Sequence, residues 1–355
     1  MSNQQRWKTV EYSKGEIIRA GNTIRKKDAT KEEIKTAIKV IDNWRAAHAY
    51  PLHIIYAHLR NMAKNDKKII VAERLKRLSS ILSKLNREPE MQLSRMQDLG
   101  GCRFIVPAVE DVYFFADIYE KSRKRHIQKS EYDYIKNPKA SGYRSLHRVY
   151  KYHSDRNETY NRNILIEIQF RTHLQHLWAT AVETMGVYTH EDIKSGYGSE
   201  DVNRFFALVS SLFAITENQP IVPGTPEDVF ELVKEIKEIN AKNNFLGFLS
   251  GINAATFMQR NKSKKNASYF ILTLNYETHV LSITPFRSNE FVKANRAYSL
   301  LESSRDHQKK DVVLVQVSSL SLLRKAYPNY FADITRFISI VTSCLNKYDK
   351  FKEKP

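Results

Sequence analysis

Cysteine is nearly missing from this chain of 355 residues: Cys102 and Cys344 are its only two. That excludes a cysteine-rich zinc site and a disulfide framework, both of which need several thiols at short spacings. It is also the thiol usage expected of a protein that works in a reducing cytoplasm. Long apolar runs are missing too. No stretch approaches the ~18 consecutive apolar residues that would cross a bilayer, and the opening MSNQQRWKTVEYSKGE has no apolar segment of the kind that directs export. Neither a membrane span nor export is expected. GxxxxGK[ST], HExxH, GxSxG and CxxC are absent as well, which removes the phosphate loop, the zincin helix, the nucleophile elbow and the redox dithiol.

Acid is scarce relative to base. With 57 Lys and Arg against 39 Asp and Glu the formal charge is +18, a balance that suits RNA, DNA, an anionic membrane or phosphate-rich ligands. The apolar fraction of 42% is that of an ordinary folding protein, and the length suits about two domains.

Helical spacing is expected from Lys31 to about Ala63 with an interruption at Pro51, and again over IIVAERLKRLSSILSKL. Cys102 to Val106 and Ile164 to Phe170 read as strands with a helix from Val109 to Arg125 between them. NPKASGYRSLHRVYKY opens as a loop at Pro138 and Gly142, and helices follow from Leu174 and over GYGSEDVNRFFALVSSLFAI. The alternation predicts an α/β (α+β) fold, a mixed sheet flanked by helices. ENQPIVPGTPED, rich in proline, marks a boundary. The expected division is 1–217, a linker with a connecting helix over 218–242, and a smaller α/β unit over 243–355 with a hairpin, a helix, the strand VVLVQV and a final helix.

Three groups of residues carry chemistry. Asp98 stands before a buried strand, followed by two glycines and Arg103, where a carboxylate can hold a divalent cation and an arginine can face phosphate or a base. In EIQFRT, strand alternation sends Glu167, Gln169 and Arg171 to one face and the apolar residues to the other. KASGYRSLH puts Tyr143 on a basic turn, which suits stacking on a base.

The order RLKRLSSILSKL, QDLGGCRF, SGYRSLH, EIQFRT and HLWATAVE, over roughly residues 50 to 215, resembles the RelA/SpoT-homology synthetase family. The resemblance implies transfer of the β,γ-pyrophosphate of ATP to a ribose 3′-hydroxyl with release of AMP. It implies Asp98 and Glu167 as Mg²⁺ ligands, with Glu167 also taking the proton of the attacking hydroxyl, and Arg74 and Arg103 as a clasp on adenine. Lys76, Ser80 and Lys84 match phosphate-holding positions, and Tyr143, Gln169, Arg171 and His173 match the acceptor side. No phosphohydrolase motif precedes the region, and where the family has an acidic residue and a His at the end of the helix that holds HLWATAVE, this chain keeps Glu183 and has Thr184 for the His.

Within the family the acceptor is either GDP or GTP, or the 3′-terminal adenosine of tRNA. The run Lys121, Arg123, Lys124 and Arg125, with Arg25, Lys26 and Lys27, suits tRNA phosphates, and the chain is similar to the toxic, tRNA-modifying members. A non-catalytic RNA-binding protein is the reading of another class. Residues 227–355 resemble the pseudo-zinc-finger domain of CapRel-type fused toxin–antitoxins, which implies restraint of the enzyme, a phage capsid protein as trigger, and Tyr327 and Tyr330 of YPNY as inhibitory residues. DNA is not expected as a partner.

Overall fold

The computed structural model describes residues 7–189, 193, 196–255, 257–260, 267–275, 278, 280–302, 310–317, 320–327 and 334–352. Three helices come first: α1 (Lys14–Arg25), α2 (Lys31–Ala47) and α3 (Ala49–Met62). Ser13 and Thr30 start the first two with capping boxes completed by Glu16 and Glu33, so the exposed amide donors of each first turn are satisfied locally. Pro51 sits within the first turn of α3, where its missing N–H costs no helical hydrogen bond.

The run beginning at Ile70 is not the single helix its spacing suggests. It forms β1 (Ile70–Leu75), then α4 (Leu78–Arg87). β1 lies inside a sheet, with Val71 and Leu75 in the core on one face and Ile70 and Ala72 in the core on the other. A strand buried on both faces is a short continuous apolar run, which periodicity alone does not separate from a buried helix.

β2 (Gly100–Val106), α5 (Val109–Lys121), β3 (Ile127–Asp133), β4 (Leu146–Lys151), β5 (Leu165–Thr172), α6 (His173–Thr189) and α7 (Glu200–Thr216) follow. β3 is a polar edge strand, IQKSEYD, whose charges guard an open edge and hide the apolar alternation that would mark it as a strand. Then come α8 (Val229–Asn243), α9 (Phe245–Ala255), β6 (Phe257–Arg260), β7 (Ala267–Asn275), β8 (Val280–Arg287), α10 (Phe291–Glu302), β9 (Lys310–Gln316), α11 (Leu320–Ala326) and α12 (Thr335–Lys352).

Among the described residues the strands form one sheet of nine, ordered β3-β4-β5-β2-β1-β9-β7-β8-β6. It is mixed: β2 runs parallel to β5 and β6 to β8, and the remaining pairs are antiparallel. The fold is therefore the mixed sheet flanked by helices that the sequence predicts. The C-terminal strands join through β9, which pairs with β1 at Glu73↔Gln316 and Arg74↔Val315. Tyr298, Tyr327 and Phe337 from this end of the chain each enter a core shared with the earlier elements.

Candidate active site

Two cross-strand rows build the floor of a cavity of about 1140 Å³. One runs Tyr132↔His147↔Gln169↔Arg103 across β3, β4, β5 and β2. The other aligns Glu167, Gly101 and Arg74 across β5, β2 and β1. Because strand side chains alternate, each row presents its members to one face, and all seven residues line the cavity. Gly101 keeps the centre of this floor open: a Cβ there would point into the cavity, its nearest neighbour the Glu167 carbonyl at 3.8 Å. The result is a wall of arginines on one side, an aromatic wall on the other and carboxylate with amide between them.

Asp98 occupies the turn just before β2, and that turn is tied to the end of β1 by the Lys76 N–H donating to the Leu99 carbonyl at 2.8 Å. Its carboxylate accepts from the Lys76 ammonium at 2.8 Å and the Lys84 ammonium at 3.3 Å. Burial alone would raise the Asp98 carboxyl, but the two ammonium groups outweigh it and hold it at about 2. Lys84 comes from α4, which also turns Ser79, Ser80 and Ser83 toward the cavity. Burial in turn lowers the Lys76 ammonium.

Glu167, on β5, is held on both oxygens. Oε1 lies 2.8 Å from His147 Nδ1, and Oε2 accepts from Gln169 Nε2 at 2.6 Å. His147 Nε2 lies 2.8 Å from the Tyr143 hydroxyl. Burial opposes charge on both partners, yet Tyr143 and Glu167 raise His147 to about 9, and His147 pulls Glu167 below the usual carboxylate range. At neutral pH this is an imidazolium–carboxylate pair. Asp98 opposes the ionisation of Glu167, so the two carboxylates sense each other across the cavity.

Tyr143 is fixed by the loop before β4. Gly142 takes φ +90°, and a Cβ there would meet Ser210 and Trp178 atoms at 2.9 Å, so only glycine allows the loop to pack this closely on α6 and α7. Tyr134 meets Tyr143 edge-on at 6.0 Å, and Tyr132 lies parallel to Tyr134 with 4° between the planes.

The C-terminal elements touch the arginine side. Arg103 lies over the Tyr327 ring at 5.2 Å, donates to the Ala326 carbonyl at 3.2 Å and stands 3.7 Å from Glu183 of α6. The Tyr327 hydroxyl donates to the Glu73 carbonyl at 3.0 Å, and burial pushes this phenol up to about 12. Asp311 of β9 pairs with Arg77, and Glu302 of α10 accepts the Leu78 N–H at 2.6 Å and pairs with Arg45 at 2.6 Å. Two acids thus occupy the start of α4, where the helix dipole favours anions.

Asp98, Glu167, Arg74, Lys76, Ser80, Lys84, Arg103, Tyr143 and Gln169 therefore meet in one cavity. Arg171 and His173 do not. Arg171 is 1% exposed and bonds to His176 at 2.7 Å, whose other nitrogen reaches the Lys325 carbonyl at 2.8 Å. His173 Nε2 lies 3.1 Å from the Lys68 carbonyl. Alternation puts Arg171 on the face of Gln169, but its guanidinium is buried beyond the cavity against His176, which the Lys325 carbonyl of α11 holds.

Two members of the basic sets are also spent elsewhere. Lys124, its side chain 6% exposed, pairs with Glu120 at 3.1 Å and lies over the Tyr119 and Tyr150 rings. Arg25 donates to the Leu85 and Met91 carbonyls, joining α1 to the end of α4. Lys121, Arg123, Arg125, Lys26 and Lys27 are exposed, and Arg125 pairs with Asp155 at 3.0 Å. Tyr330 lies outside the described residues. Tyr132, Tyr134 and Asp311 line the cavity beyond the sequence candidates, as do Lys139 and His147 of the Tyr143 turn and Arg77 of the basic run before α4. The alternation in YDY was the available signal for the first two.

Residues 73–192 match the family model described as a region found in RelA / SpoT proteins. This segment is similar to the RelA/SpoT region. Two curated relatives from Bacillus subtilis (strain 168) share it: GTP pyrophosphokinase YjbM, 35% identical over 112 residues (31% of this chain and 52% of that one), and GTP pyrophosphokinase YwaC, 28% identical over 152 residues (41% and 68%). The chain thus spans about half the length of YjbM. Among solved structures, small alarmone synthetase 1 of Bacillus subtilis bound to its product pppGpp aligns at 26% identity over 47% of this chain and 90% of that one, with a TM-score of 0.40. The matched segment contains β2 to β5, the Arg74 end of β1 and the Asp98 turn.

Proposed function

We propose that this chain transfers the β,γ-pyrophosphate of ATP to the 3′-hydroxyl at the CCA end of tRNA, blocking translation. The observation that carries the reading is the pairing of two ionised carboxylates, Asp98 and Glu167, in one cavity with arginines on one wall and tyrosines on the other. The acceptor oxygen attacks the β-phosphorus, the bond from that phosphorus to the α,β-bridging oxygen breaks, and AMP leaves with the oxygen. Glu167, kept ionised by His147, takes the hydroxyl proton. Arg74 and Arg103 hold the adenine, and Lys76, Ser80 and Lys84 hold the phosphates, so positioning and charge neutralisation do the catalytic work.

Asp98 and Glu167 are the oxygen donors that would hold Mg²⁺, an ion commonly bound through one or two carboxylates plus substrate phosphates. When bound it supplies charge neutralisation at the phosphates. The lysines now on Asp98 would turn to the phosphates.

The relatives' names favour GDP or GTP as the acceptor. The exposed cations Lys121, Arg123 and Arg125 beside the edge strand favour tRNA. The C-terminal segment is an inhibitory unit: Tyr327 stacks where adenine would, and a phage capsid protein that binds the open form shifts the population toward it. In this role the protein is a cytoplasmic anti-phage toxin–antitoxin. The test is to incubate γ-labelled ATP and Mg²⁺ with GDP or bulk tRNA, using the wild type and Tyr327→Ala. Label on tRNA with release of AMP is expected, strongest for the variant. Label on GDP alone would replace the acceptor, and label on neither would end the reading.

A further inference from the structure

The aromatic wall is longer than one base requires. Tyr143 is 3% exposed at the cavity floor, Tyr134 is half-buried, and Tyr132 is 39% exposed on the edge strand. The rings follow one another: Tyr132 and Tyr134 are 6.0 Å apart and nearly parallel, and Tyr134 meets Tyr143 edge-on at 6.0 Å. The Lys139 ammonium lies 4.5 Å from the Tyr134 ring centre and 5.7 Å from that of Tyr143, a cation between successive platforms. β3 carries this series back toward the exposed Arg123 and Arg125 in the loop just before it, a span of roughly 23 Å from Arg125 to Tyr132 at strand rise. A mononucleotide acceptor would occupy only the innermost ring.

We propose that Tyr132, Tyr134 and Tyr143 form a stacking ladder that takes an unpaired 3′ stretch of RNA base by base from the sheet edge into the cavity, with Lys139 on the intervening phosphates. Aromatic rings bind successive bases of a single strand because every base has a π-face, and cations beside them follow the backbone. The ladder rests on the RNA-acceptor reading and sharpens it: recognition requires several unpaired nucleotides, not a terminal nucleoside alone.

Tyr132 is the rung to test, since its exposure makes truncation compatible with folding. Fluorescein-labelled RNA hairpins, either blunt or with three unpaired 3′ nucleotides, are titrated against the full-length wild type, Tyr132→Ala and Tyr132→Trp. The overhang should bind the wild type about tenfold more tightly than the blunt hairpin, within the range of a base–aromatic stack. Tyr132→Ala should lose most of that preference and Tyr132→Trp should keep it. Equal binding of the two hairpins to the wild type, or an overhang preference intact in Tyr132→Ala, overturns the ladder. Transfer of label from ATP to the same hairpins is scored separately. A Tyr132-dependent overhang preference without transfer would sink the acceptor reading and leave the ladder standing, whereas transfer without that preference would do the reverse.

Discussion

The guanidinium of Arg103 lies 5.2 Å from the centre of the Tyr327 ring, bringing together residues 224 positions apart in the chain behind a cavity that Arg103 lines. Tyr327 is held from the other side by its hydrogen bond to the Glu73 carbonyl. Cation–π contact in a desolvated site is worth ~2 kcal/mol, enough to compete with a nucleobase for the same face. Tyr327→Ala should therefore tighten binding of a fluorescent ATP analogue by about an order of magnitude and arrest growth when expressed without a trigger. Tyr327→Phe keeps the ring and loses one hydrogen bond, about 1 kcal/mol, so its affinity should stay near the wild type. Unchanged growth with Tyr327→Ala would remove the inhibitory role.

Asp311 and Arg77 make a second contact between the C-terminal segment and the cavity wall. Asp311→Asn keeps the shape and removes the negative charge that faces Arg77. The partly exposed pair should cost about 1–2 kcal/mol of stability when broken, while ATP affinity rises severalfold. A fall in ATP affinity, read by the same titration, would show that Asp311 does not compete with nucleotide.

His147 and Glu167 predict a pH dependence. His147 binds its proton more tightly in the folded chain, at about 9 against an ordinary 6.5. Its contribution is complete below about 6.5 and drains away as pH rises through 9. Glu167 has the opposite sense: with a depressed value, its contribution holds above the ordinary carboxylate range and is lost as pH falls through its folded value. The urea midpoint should drop between pH 6.5 and 9.5 in the wild type and less so in His147→Gln. Parallel pH profiles would exclude the pair as the source.

Glu167→Gln tests the proposed chemistry. It keeps a hydrogen-bonding side chain of the same size but cannot take a proton, so kcat should fall about 10²–10⁴-fold while the ATP analogue still binds. A fall in binding with kcat intact would assign Glu167 to substrate positioning.

Lys121, Arg123 and Arg125 can be separated from Lys124. Changing the three exposed residues to Glu should lower the slope of log affinity for tRNA against log salt by up to about 3, near 0.9 for each phosphate no longer neutralised. Lys124→Glu should instead destabilise the fold, because the ammonium sits over Tyr119 and Tyr150 beside Glu120. An unaltered salt slope in the triple variant, measured by filter binding, would move the RNA path off this surface.

Much of the molecule was decided by local sequence. Ser13-x-x-Glu16 and Thr30-x-x-Glu33 begin helices by satisfying their own amides. Alternation in EIQFRT put Glu167 and Gln169 on one face, and the glycines of DLGG and SGY marked where backbone must pass closely. Only tertiary structure decided the rest. Ile70–Leu75 became a strand because both of its faces are covered, and Arg171 left the site because it is buried against His176, which the Lys325 carbonyl holds. Lys124 and Arg25 turned from surface cations into supports, and Tyr132 and Tyr134 joined Tyr143 through pairing of β3 with β4. Asp98, Glu167 and the tyrosines were legible as residue types. Their meeting in one cavity, with Tyr327 against its arginine, depends on strand neighbours that sequence spacing does not encode.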